Sequence, residues 1–213
     1  YGKNIGQEVV ISLYSAGLTE KKELYRHKVL TNKFITKPVR TNIPQPHQPM
    51  VSWDISGGGI VVGFQENYDL AFLDLTGKKN ASFSHKYTKV PVTDEDKKKF
   101  FAGMTFSSGD GKVSRGAPKY VKDNTEFPKY KPVFSGILTD PEGNILVLLP
   151  ETGDKKVVFD AFDPKGKFIA RVSLQVEGKV FMSTAIFHEK SVWLLSADED
   201  NEMSVKKFKI AGL

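Results

Sequence analysis

Asp140-Pro-Glu-Gly-Asn-Ile-Leu-Val-Leu148, followed by Val157-Val-Phe-Asp-Ala-Phe-Asp-Pro-Lys-Gly-Lys-Phe-Ile-Ala-Arg-Val172, reads as short strands joined by tight turns. In each turn Pro sets φ, while Gly or Asn can take the positive φ that closes it. Ile145–Leu149 is an unbroken apolar run, as expected of a strand covered on both faces. Val133–Thr139 lies before it. Val157–Phe162 follows Gly153-Asp154, and Phe168–Leu174 alternates in polarity. The stretch therefore predicts four antiparallel strands in sequence order.

The pattern recurs. Asn144-Ile-Leu-Val matches Ser191-Val-Trp-Leu, 47 positions later, and Phe162 matches Phe208, 46 later. Asp163-Pro-Lys-Gly-Lys matches Asp74-Leu-Thr-Gly-Lys, 89 positions earlier, or 49 once a 40-residue insertion over 92–131 is removed. A period of roughly 46–49 residues is close to that of four-stranded propeller blades. The earlier copy predicts strands at Val51–Ile55, Ile60–Phe64, Leu70–Leu75 and Ala81–Tyr87. The later copy predicts Met182–Phe187, Val192–Ser196 and Met203–Ile210, without a fourth strand. Glu8–Tyr14 and Leu24–Leu30 read as the third and fourth strands of a further unit. The expectation is an all-β propeller of four-stranded antiparallel blades, with about three and a half blades over residues 1–213 and one inserted helix and loop.

Phe127-Pro-Lys-Tyr-Lys-Pro-Val-Phe-Ser-Gly-Ile-Leu-Thr-Asp-Pro-Glu-Gly-Asn-Ile-Leu-Val147 and Phe159-Asp-Ala-Phe-Asp-Pro-Lys-Gly-Lys167 resemble the bacterial six-bladed β-propellers of the NHL and TolB-like groups. Pro91-Val-Thr-Asp-Glu-Asp-Lys-Lys-Lys99 is also similar to members of that set. The resemblance covers roughly residues 50–210 and speaks to fold far more than to function. Six blades at this period need about 270 residues, so the resemblance implies either that the 213 residues belong to a longer ring or that the ring is smaller.

Composition predicts one folded domain with a sizeable core: 39% of the residues are hydrophobic. No apolar run reaches the ~18 residues that span a bilayer. The absence of cysteine excludes disulfides, thiol nucleophiles and thiolate metal sites within these residues. The formal charge of +6 is concentrated: Lys86 to Lys131 holds 11 Lys/Arg against 6 Asp/Glu. Solvated lysines account for such a run most simply; an anionic partner is the sharper reading. Nucleic acid is not expected, because the spacings of helix-turn-helix and zinc-finger modules and the single-strand stacking platform are missing.

The insertion opens with a readable helix start. Thr93 can cap it, with Asp94, Glu95 and Asp96 in the first turn and Lys97–Lys99 beyond. Phe100, Phe101 and Met104 make an apolar patch, and Ser107–Lys112 and Arg115-Gly-Ala-Pro118 read as loop. Such an insertion is expected to pack as a lid, or to contact a ligand. Lys37–Pro49, with four prolines, reads as an extended connection into the first complete blade.

The remaining constellations reduce to turns or packing. Asp198-Glu-Asp-Asn-Glu202 alternates carboxylates but lacks the Gly and distal Glu of an EF-hand loop. Gly57-Gly-Gly59 lacks the Lys-Ser/Thr of a phosphate cradle, and Asp140–Asn144 is a hairpin turn. His27, His47, His85 and His188 show no ligand spacing, and no Gly-x-Ser-x-Gly elbow exists. Trp53 and Trp193 fall in equivalent strand regions and are expected to pack between blades. No catalytic, cofactor-binding or metal-binding residue is assigned and no cofactor is implied. The expected function is a non-catalytic, exported or periplasmic module that binds a protein, peptide or glycan. The alternative is a calcium-dependent lactonase or esterase with its ion at the ring centre.

Overall fold

A computed structural model describes residues 2–107, 113–151, 156–176, 179–188, 191–198, 200 and 202–209 of the chain. The first sheet holds β1 (Gly2–Tyr14), β2 (Lys21–Ile35) and β3 (Thr41–Pro44). The second holds β4 (Val51–Ser56), β5 (Gly59–Phe64), β6 (Asp69–Asp74) and β7 (Lys79–Ser84). Next come helix α1 (Asp94–Ala102), a short hairpin of β8 (Thr105–Ser107) and β9 (Val113–Arg115), and helix α2 (Lys119–Asn124). The third sheet is β10 (Gly136–Thr139), β11 (Ile145–Leu148), β12 (Lys156–Phe162) and β13 (Phe168–Gln175), and the fourth is β14 (Lys179–His188), β15 (Ser191–Ala197) and β16 (Met203–Lys209). Every pairing between consecutive strands within these sheets is antiparallel. The chain is all-β, in several small sheets.

The sheets stack face to face in chain order, each pair sealed by an apolar layer. Ile11 and Leu24 of the first sheet meet Ile60, Val62 and Leu73 of the second. Val61, Tyr68 and Leu70 on the other face of the second meet Phe134, Ile137, Ile145 and Phe162 of the third. Leu146, Leu148, Phe159 and Ala161 on the reverse of the third meet Val192 and Leu194 of the fourth. Alternation explains the sharing, since successive residues of a strand point to opposite faces. Strands β5 and β11 face a layer on each side and are almost wholly buried.

Several expectations require correction. The extended connection Lys37–Pro49 contains β3, which pairs with β2 from Thr41↔Ile35 to Pro44↔Asn32 and buries Ile43. The strand expected from Val133 starts at Gly136, because the Val133 N–H donates to the Gln65 carbonyl (2.9 Å) of the second sheet. The strand of the second sheet expected to reach Tyr87 ends at Ser84. Around the loop expected after Phe106, Thr105–Ser107 pairs with Val113–Arg115, and α2 follows. Residues 108–112 of that loop, Gly153-Asp154 and Ile210 lie outside the described residues. Trp53 and Trp193 are not equivalent: Trp53 is on β4, the first strand of its sheet, and Trp193 is on β15, the middle strand. The apolar run of β15 aligns with those of β5 and β11, one strand later than Trp53.

One device builds the hairpin turns. The carboxylates of Asp74, Asp140, Asp163 and Asp198 each accept the N–H four residues on, from Lys78 (3.1 Å), Asn144 (2.8 Å), Lys167 (2.8 Å) and Glu202 (2.9 Å). An Asp side chain can thus stand in for backbone in its own turn. Gly77, Gly143 and Gly166 supply φ of 79°, 85° and 82° in the first three. The β1–β2 turn uses Ser15 in place of Asp, accepting from Thr19 N and Glu20 N, and puts Leu18 at φ 56°.

Gly166 carries a second constraint: a Cβ there would lie 2.3 Å from Phe83 Cδ1 of the second sheet. Gly58, at φ 90°, has nothing within 4 Å of such an atom. Gly58→Ala should therefore cost only the backbone term, about 1 kcal/mol. Gly166→Ala should cost about 1–3 kcal/mol more, through overpacking. Urea unfolding of the two variants measures the difference, and equal costs would show that the turn does not pack on the second sheet.

Candidate functional site

Side by side, β4 and β10 make the one close approach, Cα to Cα within 8 Å, between paired strands of different sheets that extends along both strands among the described residues. Thr139 joins them. Its N–H donates to Asp54 Oδ2 (2.7 Å), and its hydroxyl bonds the same oxygen (3.0 Å) and the Ile55 carbonyl. Along this seam the walls open into two clefts that share Ser52 and Ser135. One, of about 540 Å³, is lined by His47, Ser52, Gln65, Lys131, Ser135 and Pro150 among others. The other, of about 350 Å³, adds Trp53, Asp54, Gly136 and Leu138.

Segment 92–131 forms the rim by Lys131. Its ends run together: Val92 N–H donates to Lys129 O (3.1 Å), Lys131 N–H to Val90 O (2.8 Å), and Pro91 bridges Tyr130. The Phe100–Met104 patch does pack, against the first sheet. Phe101, Met104 and Phe106 close over Ile35, Ile43, Ala117 and Val121. Gln45 adds two bonds, donating to Asn124 O (3.4 Å) and accepting from Glu126 N (2.6 Å). Helix α1 has the capping box that Thr93 announced, with Asp96 as its acid.

The same Asp96 binds Lys131 Nζ at 2.7 Å. Lys131, then the Thr93 backbone, hold the Asp96 carboxyl well below the usual carboxylate range. His47 lies beside this pair with its backbone left-handed at φ 57°. A non-glycine residue in that region stores strain, and such strain gathers at functional sites. Burial, then the Lys131 ammonium, lowers the His47 imidazole below its ordinary value. It is therefore neutral at pH 7 and offers one donor and one acceptor. Gln65, buried at 7% exposure, accepts from Met50 N (3.0 Å) and turns its amide nitrogen toward Ser52 Oγ (3.5 Å).

The most deeply buried charge lies elsewhere. Asp160 on β12 is fully buried and accepts from Arg171 Nε (2.8 Å), Arg171 Nη2 (3.1 Å) and the Tyr68 hydroxyl (3.1 Å). His85 Nε2 lies 3.9 Å away. Burial, then Asp160, push the Tyr68 phenol far up. Burial also raises the Tyr87 phenol, with Glu151 reinforcing it. Both phenols therefore stay protonated at neutral pH. Asp160 lines neither cleft and serves as a joint between the second and third sheets.

Among the singled-out residues, only His47, Trp53 and the Lys131 end of the basic run meet at the seam. Gly57 and Gly58 form a turn at positive φ before β5, and in the Asp198–Glu202 run, whose Glu199 and Asn201 lie outside the described residues, the Asp198 N–H donates to Glu202 O (3.1 Å). Many insertion lysines pair nearby, Lys97 with Asp94, Lys99 with Glu95 and Lys119 with Asp123. A lactonase-type calcium ion needs several oxygens converging. Among the described residues no three of His, Cys, Asp or Glu do so. Asp54 is engaged by Thr139 and Asn144 by Asp140 (2.8 Å), so the described residues do not fit the ion. Nor is any described helix long and apolar enough to cross a membrane. Ser52, Gln65 and Ser135 escape sequence reading because they carry no motif.

No family model and no curated protein match the chain. Among solved structures it is similar to a protein of unknown function from Bacteroides caccae, with a TM-score of 0.36 and 13% identity. That likeness covers 88% of this chain and 65% of the other, so the chain spans less than two thirds of the relative's length. A similarity of that degree carries no argument about fold or function.

Asp96→Ala removes both the capping bond and the Lys131 pair and should destabilise the chain by about 1–2 kcal/mol. A carboxyl with a depressed pKa contributes stability above its ordinary value, and that contribution fades as pH falls below it. The gap in melting temperature between wild type and variant should therefore hold from pH 7 to about pH 5 and shrink below about pH 4. Thermal melts across that range check it, and a gap that grows on acidification would contradict the pairing.

Proposed function

We propose that the chain is a propeller-type, non-catalytic binding module that holds a protein, peptide or glycan partner in the cleft along its first strands. One observation carries the reading: the side-by-side run of β4 and β10, with the 540 Å³ cleft opening beside it. Sheets stacked in chain order, with the second and third drawn together at their first strands, suit the wedge arrangement that a ring of blades requires. The bacterial six-bladed NHL or TolB-like assignment and an exported, periplasmic setting belong to the same proposal.

Binding rather than catalysis follows from where the hydroxyls are committed. Ser135 Oγ donates to the Leu148 carbonyl (3.3 Å), and Ser52 Oγ faces the Gln65 amide. A serine nucleophile needs its base within hydrogen-bond reach, and neither hydroxyl bonds His47. The cleft offers a shape with neutral donors and acceptors on a rigid scaffold, which is how ligand sites are commonly built.

Ser135 is exposed, so Ser135→Trp should fill the cleft and change stability by less than about 0.5 kcal/mol. The wild type, probed on a mixed glycan array and a peptide display library, should give saturable hits that this variant loses. Calcium-dependent hydrolysis of an aliphatic lactone by the wild type would overturn the proposal.

A further inference from the structure

We infer that the tip of the β1–β2 hairpin docks the chain end-on onto an anionic lipid bilayer. Leu13 and Tyr14 close β1, and the turn beyond them carries Leu18. The three residues are 39%, 48% and 75% exposed, and Leu18 is the most exposed large hydrophobic residue among those described. Leu13 and Tyr14 are consecutive in the strand, so they point to opposite faces of the hairpin. Directly across from them stand Lys22 and Lys21. The Lys21 ammonium lies 5.9 Å from the Tyr14 ring centre. The tip therefore has apolar groups on both faces and at its end, with a lysine beside each face.

The turn holds this arrangement in place. Ser15 Oγ accepts from the N–H groups of Thr19 (3.2 Å) and Glu20 (3.1 Å), and the Leu18 N–H donates to the Ser15 carbonyl (2.9 Å). Leu18 sits at φ 56°, a left-handed conformation that strains leucine and suits glycine. Packing does not explain a leucine there, because its side chain stands in solvent. Strain of this kind gathers at binding sites. A neighbouring turn widens the patch: a Cβ at Gly77 would lie 3.2 Å from Leu24 Cα, so the Asp74–Lys78 turn leans on the base of the hairpin. It brings exposed Leu75, Lys78 and, at the start of β7, Lys79.

Charge complementarity names the occupant. Lys21, Lys22, Lys78 and Lys79 make no ion pair among the described residues. Of the nearby carboxylates, Glu23 is held by Arg26, and Asp74 accepts from Thr76 N (2.7 Å) and Lys78 N (3.1 Å) of its own turn. Only Glu20 is left to offset the four lysines. The patch is cationic around an apolar point, the complement of anionic headgroups above hydrocarbon. A partner protein reads one edge or one apolar face of such an element; a bilayer meets both faces and the end at once. Tyrosine favours the headgroup level, and lysine can lay its stem along hydrocarbon while its ammonium stays in water. A small apolar anchor binds a membrane only marginally, and basic charge beside it makes the attachment stable. The patch lies outside both clefts, so vesicle binding and cleft binding can be lost separately.

Co-sedimentation of the full chain with phosphatidylcholine vesicles, made with and without phosphatidylglycerol, tests the inference. The chain should pellet with the anionic vesicles and about tenfold less with the neutral ones. Raising the salt from about 0.1 to about 0.5 M should weaken binding about fivefold or more. Lys21→Gln combined with Lys22→Gln should weaken it about tenfold. Leu18→Gly should weaken it about fivefold without lowering the melting temperature, because glycine adopts this φ freely. The chain has no cysteine, so a spin label at Leu18→Cys is unique. On vesicle binding that label should become more accessible to oxygen and less accessible to a water-soluble nickel complex. Failure to bind anionic vesicles, or equal binding to neutral ones, would overturn the inference. So would a folded Leu18→Gly variant that binds like the wild type, or a label that stays equally open to nickel.

Discussion

Phe159 and Phe162 stand three residues apart on β12 and fill different apolar layers, one toward the fourth sheet and one toward the second. A four-stranded sheet that must bury both faces needs a neighbour on each side. Fully burying a side chain of this kind is worth roughly 1.5–3 kcal/mol, and the third sheet repeats that gain along β11 and β12. No single sheet here could hold such a surface in water. Chain order then decides the neighbours, because the connections into and out of the sheet lead to the next one along. Asp160 is the exception that the same rule tolerates: it points into an apolar layer, and Arg171 and Tyr68 supply the bonds that water would have supplied.

Stacking also creates the seam. Turns at the far strands hold neighbouring sheets at fixed points, as Gly166 does against Phe83. The first strands β4 and β10 are drawn together through Thr139 and Asp54. Residues distant in sequence, His47, Gln65, Lys131 and Ser135, come to share one cleft. Segment 92–131 rests mainly on the first sheet, yet its closing residue, Lys131, forms part of the cleft wall. The helix that begins this segment and the lysine that ends it are tied by Asp96, so the wall and the lid are one unit.

Most strands were legible because two local signals agree in each copy: an apolar run or alternation, and an Asp turn that names its end. The helix start at Thr93 was legible for the same reason, as capping chemistry is local. Strand β3 and helix α2 were not. Thr41–Pro44 lies in a proline-rich stretch that reads as an extended connection, and its pairing depends on β2. Helix α2 has six residues and buries only Val121, so its amphipathic pattern is too short to read. Asp160 was missed although its partner was readable, since Arg171 lies directly opposite it across the Asp163 turn. The cleft was least legible: Ser52, Gln65 and Ser135 gain their meaning from sheet stacking alone, and His47 from a backbone conformation.

The convergence of the second and third sheets on their first strands, β4 and β10, is the claim on which the cleft and the proposed ring depend. The chain has no cysteine, so introduced pairs label uniquely. Spin labels at Ser52 and Ser135, on the inner seam, and at Ser82 and Ser173, on the outer strands β7 and β13, give two distances by pulsed electron resonance. The account predicts a clearly shorter distance for the inner pair than for the outer pair. Equal distances, or a longer inner one, would describe flat slabs without a common axis and would contradict it.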